Sequence, residues 1–216
     1  MALTGTIWVG GSANPVQACE TALLLAIDVS NSIDPGEYRV QTDGLALALR
    51  DPEIAEILVR DQVALMITQW SGLMHQEVTV PWTRMTAPSA VADFAVQAET
   101  MPRAFVLSNT APAEALTHAL DQFDQVRDCK RWIVDVSGDG TPNADGIPVS
   151  SVRQMAERRG VTVNAVAIEA LGIAVTNFYH RRVITSDGFV LTARGVRDYP
   201  RAIREKLLRE ISRVMM

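Results

Sequence analysis

The sequence predicts an α/β protein with a doubly wound, mostly parallel six-stranded sheet flanked by helices. Short apolar runs of strand length, such as residues 22–27, alternate along the chain with longer stretches of helical periodicity. Several of these runs are apolar at nearly every position, which is typical of strands buried on both faces of a parallel sheet. The alternation itself favours a sheet with helices on both sides.

The first strand and helix have the clearest local signals. The apolar run at 22–27 is followed by Asp34-Pro35-Gly36-Glu37, an Asp N-cap with Pro at the first helical position and an acid at the third. This predicts a helix that runs to about Arg50. A third strand ends at Pro81, which places it at the sheet edge. The other elements predicted in the first half are a strand at 61–70, the edge strand at 77–82 and helices at 89–100 and 111–125.

The second half continues the alternation. A helix at 148–159 ends at Gly160. The last helix begins at about Asp198 and carries an apolar stripe. The stripe consists of Ile203, Leu207, Ile211 and Val214. Strands are predicted at 131–137, 161–168 and 183–191.

Composition limits the classes of function. With 216 residues, 48% of them hydrophobic, the chain can form one domain, placed at residues 19–216. The net charge of −5 is dispersed, and a nucleic-acid partner, which requires a basic face, is not expected. No stretch approaches the roughly 20 apolar residues of a membrane helix, so stable membrane insertion of the domain is not expected either.

Residues 1–18 are expected to lie outside the domain. They carry no charge, and they end in Pro15-Val16-Gln17-Ala18 before Cys19. Small residues at Val16 and Ala18 suit a signal-peptidase site, so this segment is interpreted as part of a signal peptide that lacks its basic region. The chain would then be periplasmic or secreted. The alternative is a flexible extension on a cytoplasmic protein.

A set of oxygen donors follows the first strand. Side chains alternate in an extended chain, so Asp28, Ser30 and Ser32 emerge on one side where the strand ends. Open α/β folds bind ligands at this edge of the sheet. One carboxylate and two hydroxyls are hard donors that suit Mg²⁺.

These three residues resemble the DxSxS signature of the von Willebrand factor type A (VWA) domain, which forms its metal-ion-dependent adhesion site (MIDAS). The resemblance implies bound Mg²⁺, or alternatively Mn²⁺, and two further site residues. Thr110 begins a T-x-x-x-x-A-L segment that matches the family's threonine loop, and Asp139 follows the fourth strand in Ser-Gly-Asp-Gly. The family usually has glycines before the threonine, whereas this chain has Ser108-Asn109.

The resemblance extends over roughly residues 19 to 214. The chain is similar to an uncharacterised bacterial family of VWA-like, largely exported proteins that has no known activity. The segments that carry the similarity are residues 28–34, 49–52, 80–83 and 135–140.

The resemblance implies a binding module that captures a carboxylate of a protein partner through the metal. One alternative is a VWA scaffold with a degenerate metal site, which Ser108-Asn109 supports. A second is a Mg²⁺-dependent phosphohydrolase, because Asp28 follows a buried strand. Phosphohydrolases of the haloacid-dehalogenase type have a second Asp two residues after the first, and Ser30 stands at that position here. No G-x-S-x-G elbow is present either, so the chain is predicted not to be an enzyme.

The two cysteines are expected to form a disulfide. In the VWA fold the strands that end at Asp28 and Asp139 are adjacent and parallel. Cys19 and Cys129 precede those aspartates by nine and ten residues and would therefore lie at the same level of the sheet. Strands about 4.8 Å apart satisfy disulfide geometry. Two buried free thiols are the alternative.

Other polar and aromatic residues have weaker signals. Asn143, Trp70 and Trp82 are candidates for the rim of the site, with core packing as the alternative for the tryptophans. Asp135, buried in the middle of a strand, is paired with Asn164 as a structural contact. The three histidines lack zinc-ligand spacing.

Overall fold

A computed structural model describes residues 19–106, 108–144, 146–170 and 172–212. Within these ranges the chain forms six strands and seven α-helices. The strands are β1 (Thr21–Asp28), β2 (Ala64–Trp70), β3 (Gln76–Arg84), β4 (Arg131–Gly138), β5 (Val161–Glu169) and β6 (Val190–Arg194). The helices are α1 (Pro35–Leu49), α2 (Pro52–Arg60), α3 (Pro88–Thr100), α4 (Pro112–Gln122), α5 (Val149–Arg158), α6 (Ala174–Phe178) and α7 (Tyr199–Ile211).

The strands form one sheet in the order β3-β2-β1-β4-β5-β6. Each neighbouring pair is parallel except β2 and β3, which are antiparallel. The predicted fold class is confirmed, and β3 lies at the edge as Pro81 indicated. The carboxyl ends of β1, β2, β4 and β5 therefore meet at one edge of the sheet.

Side chains along β1 point alternately to the two faces of the sheet, and each face has its own hydrophobic core. Leu23, Leu25 and Ile27 pack against apolar residues of α1, α2, α3 and α7. Ala22, Leu24 and Ala26 face the other side, against α4, α5 and the segment that follows α6. Because both faces are covered, all eight β1 residues are buried, and the first strand needed an unbroken apolar run.

Helix α2 was not predicted. Asp51 caps it by accepting hydrogen bonds from the amides of Glu53 and Ile54, and Pro52 is the first helical residue. The strand predicted from residue 61 consequently begins later, at Ala64. Helix α6 and the π-helical turn Tyr179–Val183 that continues it were not predicted either.

The predicted position of the sixth strand, residues 183–191, is wrong. Val183 ends the π-helical turn, and β6 begins at Val190. Between them, the hydroxyl of Thr185 accepts a hydrogen bond from the Val163 amide at 2.9 Å. The chain then passes so close to β5 that a Cβ on Gly188 would lie 2.1 Å from the Val163 carbonyl oxygen.

The disulfide between Cys19 and Cys129 is present, with a Cα–Cα distance of 4.4 Å. It joins the chain just before β1 to the chain just before β4, at the amino edge of the sheet. This confirms the predicted pairing. The signal-peptide interpretation of residues 1–18 and the placement of Val214 fall outside the described residues.

Candidate metal-binding site

Asp28 is the last residue of β1 and is fully buried. Its Oδ1 accepts a hydrogen bond from the Ser30 amide at 2.8 Å, which folds the chain into a tight turn after the strand. Its Oδ2 has no hydrogen-bond partner among the described residues. Desolvation raises the pKa of Asp28 from its ordinary value of 3.8 to about 7. A buried carboxylate oxygen without a donor is costly unless a cation compensates it.

A chain of oxygen atoms runs outward from this turn. The Ser30 and Ser32 hydroxyls lie 3.2 Å apart, and the Ser32 hydroxyl donates to Asp139 Oδ1 at 2.6 Å. Asp139 follows β4 directly, so the parallel pairing of β1 with β4 brings the two loops together. Burial, with a smaller contribution from Glu37, raises the pKa of Asp139 as well. The site thus holds two carboxylates whose charged forms are disfavoured by burial.

Thr110 reaches the same place from the loop before α4. Asn143 holds its backbone on both sides: the Asn143 side-chain oxygen accepts from the Thr110 amide at 2.9 Å, and the Asn143 amide donates to the Thr110 carbonyl at 3.1 Å. A Cβ on Gly140 would lie 3.6 Å from the Thr110 hydroxyl and 3.9 Å from the Ser32 hydroxyl. The three loops therefore converge, and Asn143 lies at the site as a residue that positions Thr110.

The residues before Thr110 are held by the β2–β3 turn. The Ser71 hydroxyl donates to the Asn109 carbonyl at 3.0 Å, and the Gly72 amide donates to the Ser108 hydroxyl at 3.2 Å. The Asn31 amide also donates to the Ser108 carbonyl at 2.9 Å, which ties this loop to the one after β1. Ser108 and Asn109, which replace the usual glycines, thus make hydrogen bonds that hold the loop in place.

Arg103 was missed by the sequence analysis. Its Nη2 donates to the carbonyls of Val29 and Ser30, both at 2.9 Å, so that the guanidinium supports the turn after β1. An isolated arginine in a segment between two helices carries no pattern that predicts such a contact. Its positive charge partly counteracts the desolvation of Asp28.

Tyr179 was also missed. Its side chain is fully buried, and its hydroxyl has no hydrogen-bond partner in the part of the chain that the structure describes. Burial and the nearby Asp28 carboxylate raise the pKa of the Tyr179 hydroxyl. The residue lies in the π-helical turn after α6, an element that the sequence did not reveal.

The two predicted rim tryptophans do not lie at the rim. Trp70 is 1% exposed, and its indole nitrogen donates to the Ala26 carbonyl at 3.2 Å, so it packs in the core beneath the site. Trp82 is on β3, next to Thr83, which pairs with Leu65 near the amino end of β2. Trp82 therefore lies away from the carboxyl edge. Its ring packs 5.6 Å from that of Phe123, which is the core packing given as its alternative.

The pairing of Asp135 with Asn164 is wrong. The two residues are aligned in the β4–β5 register, but Asp135 Oδ1 forms an ion pair with Lys206 Nζ at 2.7 Å. Asn164 donates to Glu210 Oε1 at 2.8 Å instead. Lys206 and Glu210 both come from α7 and are fully buried, so helix and sheet share an ionic cluster. Long-range partners of this kind have no local signature.

The side chains that converge at the carboxyl edge within the described ranges, those of Asp28, Ser30, Ser32, Thr110 and Asp139, carry oxygen donors. Among the described residues no group of three or more His, Cys, Asp or Glu side chains is arranged to hold a metal ion. His75 bonds to the Ser108 hydroxyl at 2.8 Å. The donor set at the carboxyl edge is therefore composed of oxygen atoms, three of them hydroxyls.

This sheet order, with a DxSxS turn at the end of the central strand, defines a VWA-like α/β domain. The chain belongs to the family described as "Protein of unknown function (DUF1194)", whose model matches residues 18–215. A comparison with curated protein sequences gave no significant match. None of the helices in the described ranges is long and apolar enough to cross a membrane.

Solved structures share the fold at low sequence identity. Proximal thread matrix protein 1 from the mussel byssus is 16% identical with a TM-score of 0.66, over 88% of this chain and 47% of that one. The pilus adhesin SpaC from Lactobacillus rhamnosus GG is 13% identical with a TM-score of 0.66, over 89% and 30%. The SpRpn10 VWA domain is 14% identical with a TM-score of 0.57, over 84% and 94%.

The chain thus spans about half of the mussel protein and under a third of the adhesin. A second structure of the mussel protein has zinc in its MIDAS motif; it is 12% identical with a TM-score of 0.66, over 90% of this chain and 46% of that one. At these identities the comparison establishes the shared fold.

Proposed function

We infer that this protein is a binding module that uses a divalent cation to capture an acidic group of a partner protein. The observation that carries this inference is Asp28 Oδ2, a fully buried carboxylate oxygen with no protein donor within the described ranges. It lies in a turn whose other side chains present hydroxyl oxygens. A cation at this point would compensate a charge that Arg103 and the Ser30 amide compensate only in part.

The donor chemistry suits Mg²⁺, with Mn²⁺ as an alternative. Asp28, Ser30, Ser32 and Thr110 would hold the ion directly, and Asp139 would act through a water molecule. Hard oxygen ligands and retained waters are typical of Mg²⁺ sites. A zinc-occupied MIDAS in a structural neighbour supports metal binding by this fold, although it does not select the metal.

The bound cation would supply an electrophilic position for a partner's carboxylate. The protein's own residues keep the ligands in place for this role. Arg103 holds the carbonyls of the β1 turn, and Asn143 holds both backbone groups of Thr110. These contacts join protein groups to one another, so the loops that carry the ligands are held by the protein itself.

Location outside the cytoplasm forms part of the proposal. The Cys19–Cys129 disulfide supports an oxidising compartment, and we place the protein in the periplasm or the extracellular medium. The discriminating measurement is the free-thiol count of the protein isolated from a periplasmic fraction, for which a count of zero is expected.

Titration calorimetry with Mg²⁺ and Mn²⁺ tests the metal site. Asp28→Ala should abolish the binding isotherm. Asp93→Ala, which removes an exposed carboxylate on α3, is the matched control and should bind as the wild type does. If the wild-type protein binds neither ion, the fold is a scaffold with a degenerate site. Mg²⁺-dependent phosphatase activity that is lost in Asp28→Asn would instead identify an enzyme.

A further inference from the structure

Exposed apolar side chains are concentrated at one edge of this domain. Within the described ranges seven large apolar side chains are exposed. Two of them, Leu47 and Val96, lie on helices α1 and α3. The other five lie on the loops at the carboxyl edge of the sheet, the edge that carries the candidate metal site: Leu73 (44% exposed), Met74 (89%), Val106 (66%), Ile147 (40%) and Ile173 (59%). These five residues are termed the apolar rim.

The loops that carry the rim are also poor in charge. Residues 70–76, 104–113 and 170–178, which carry four of the five rim residues, contain no Asp, Glu, Lys or Arg, in a chain with 21% charged residues. The loop that carries Ile147 contains Asp139 and Asp145. Exposed apolar surface without charge is characteristic of the centre of a protein–protein interface and is disfavoured on a surface that faces only water. The composition of this edge therefore indicates a surface that a partner covers.

A groove opens beside the site. It has a volume of about 460 Å³ and is lined mainly by apolar side chains, among them Pro142, Ile147 and Phe178, with Arg182 at its border. Pro142 directly precedes Asn143, the residue that holds Thr110. A Cβ on Gly146 would lie 3.8 Å from Leu73 Cδ2, so the groove adjoins another residue of the rim. The groove is large enough for one or two bulky apolar side chains.

We propose that the partner is a polypeptide whose metal-binding carboxylate is flanked by large apolar side chains, which pack on the rim and fill the groove beside Asn143. This proposal rests on the proposed function, because the acid binds at the cation. The charges at the cation agree with it, because the cation and Arg182, which lines the groove, both attract acidic groups. A Cβ on Gly146 would also lie 3.1 Å from Glu114 Oε1, so the cation, and not the groove, is the position that accepts the partner's acid.

The apolar contacts would also strengthen the metal–carboxylate bond. Side chains that surround the bound acid exclude water from it, and the electrostatic attraction is stronger in the lower local dielectric. Each apolar side chain of the partner that becomes buried on the rim also adds favourable transfer free energy. A polar peptide that offers only a carboxylate would forgo both contributions and bind weakly.

The test uses a displayed library of peptides with a fixed central Asp and randomised flanks. It is selected on the wild-type protein in Mg²⁺ and, separately, in EDTA. We expect large apolar residues to be enriched at the flanks in Mg²⁺ only. Selected peptides are then synthesised, and their Kd is compared with that of versions whose flanks are replaced by Ser. Replacement should weaken binding at least tenfold.

Surface variants make the test specific for the rim. Met74→Ser and Ile147→Ser should each weaken the selected peptides several-fold while the Mg²⁺ affinity stays unchanged. Leu47→Ser and Val96→Ser are matched controls, because they remove exposed apolar residues (65% and 50% exposed) that lie on helices; both should leave peptide and Mg²⁺ binding unchanged.

The outcomes separate the two proposals. Mg²⁺ binding without enrichment of apolar flanks overturns the rim proposal and leaves the metal site intact. No Mg²⁺ binding by the wild type overturns the proposed function itself. Self-association or adsorption to phosphatidylglycerol vesicles that Met74→Ser abolishes would identify a second copy or a membrane as the occupant, against the polypeptide proposed here.

Discussion

The hydroxyl of Tyr179 and Oδ2 of Asp28 face the same point above Gly138, where a Cβ would lie 2.5 Å from the first and 2.7 Å from the second. Both oxygens are buried, and neither has a hydrogen-bond partner among the residues that the structure describes. Glycine at position 138 is therefore what lets β4 pass beside the candidate metal ligand. The interior wall of the site is built from Gly138 and Tyr179, behind the loops that carry the DxSxS residues.

This relationship predicts different tolerance of the two glycines that flank Asp139. Gly138→Ala should destabilise the fold by about 1–3 kcal/mol and lower the metal affinity, because the new methyl group overlaps Asp28 and Tyr179. Gly140→Ala should keep the wild-type stability, since its Cβ would meet its neighbours at ordinary contact distances of 3.5–3.9 Å. Urea unfolding and calorimetry measure both effects, and equal stability of the two variants would contradict this account.

Asp28→Asn should stabilise the metal-free protein at neutral pH. The pKa of Asp28 is raised to about 7 in the folded state, against 3.8 as its ordinary value, so the folded state retains a proton that the unfolded state releases between these values. Wild-type stability contributed by this group is present at low pH and is lost as the pH rises through about 7. Above pH 7 the free energy of unfolding of metal-free Asp28→Asn should therefore exceed that of the wild type by roughly 2–4 kcal/mol.

The measurement is the melting temperature in EDTA and in Mg²⁺ at a pH above 7. Asp28→Asn should melt above the wild type in EDTA, and Mg²⁺ should raise the melting temperature of the wild type alone. A wild-type melting temperature that Mg²⁺ does not change would argue against the site.

The ionic cluster beneath α7 predicts a second pH effect. Burial raises the pKa of Glu210 to about 7, so its contribution to stability is present below its ordinary value of 4.5 and is lost as the pH rises through 7. Glu210→Gln keeps an acceptor oxygen for Lys206 and should flatten this part of the pH profile. Glu205→Gln, at an exposed position on the same helix, should leave it unchanged.

Removal of the positive charge of Lys206 from this cluster should destabilise the fold far more. Lys206→Met leaves Asp135 and Glu210 buried without their counter-charge and should cost about 3–5 kcal/mol. Denaturant unfolding at a pH above 7 measures this loss. A loss below about 1 kcal/mol would mean that the two acids are protonated together in the folded protein.

The disulfide should contribute to stability without influencing the site. It closes a loop of 110 residues, for which the chain-entropy estimate is about 4–5 kcal/mol. Replacement of Cys19 and Cys129 by Ser should lower the free energy of unfolding by that order. The Mg²⁺ affinity should remain within about twofold, because the bridge lies at the opposite edge of the sheet; a large change in affinity would refute this separation.

The elements predicted correctly from sequence are those with a strong local cause. β1 is apolar throughout because both of its faces are covered, and α1 begins with a complete capping box at Asp34 and Glu37. Helix α2 was missed because the sequence analysis ended a helix at about Arg50 and started none at Asp51-Pro52, although an Asp followed by Pro is a helix start. The sixth strand was misplaced because the β-branched residues 183–185 resemble a strand but follow a π-helical turn.

The site was predictable where its residues share a short motif or a strand end. Asp28, Ser30 and Ser32 are close in sequence, and the parallel pairing of β1 with β4 brings Asp139 to them. The loop before α4, which Asn143 holds, brings Thr110 to the same place. Residues that act across the fold were not predictable. Arg103 and Lys206 reach their partners through tertiary packing, and no periodicity or spacing in the sequence marks those contacts.

The disulfide and the candidate metal site occupy opposite ends of the same two strands, β1 and β4. A partner pulled away from Asp28 while the chain is held at Cys19 would load β1 along its axis. The hydrogen bonds from β1 to β2 and β4 would then be sheared together and would not open one at a time. The covalent bridge to β4 would share the tension at the far end. A load in this direction would therefore be distributed along the whole length of the β1–β2 and β1–β4 pairing.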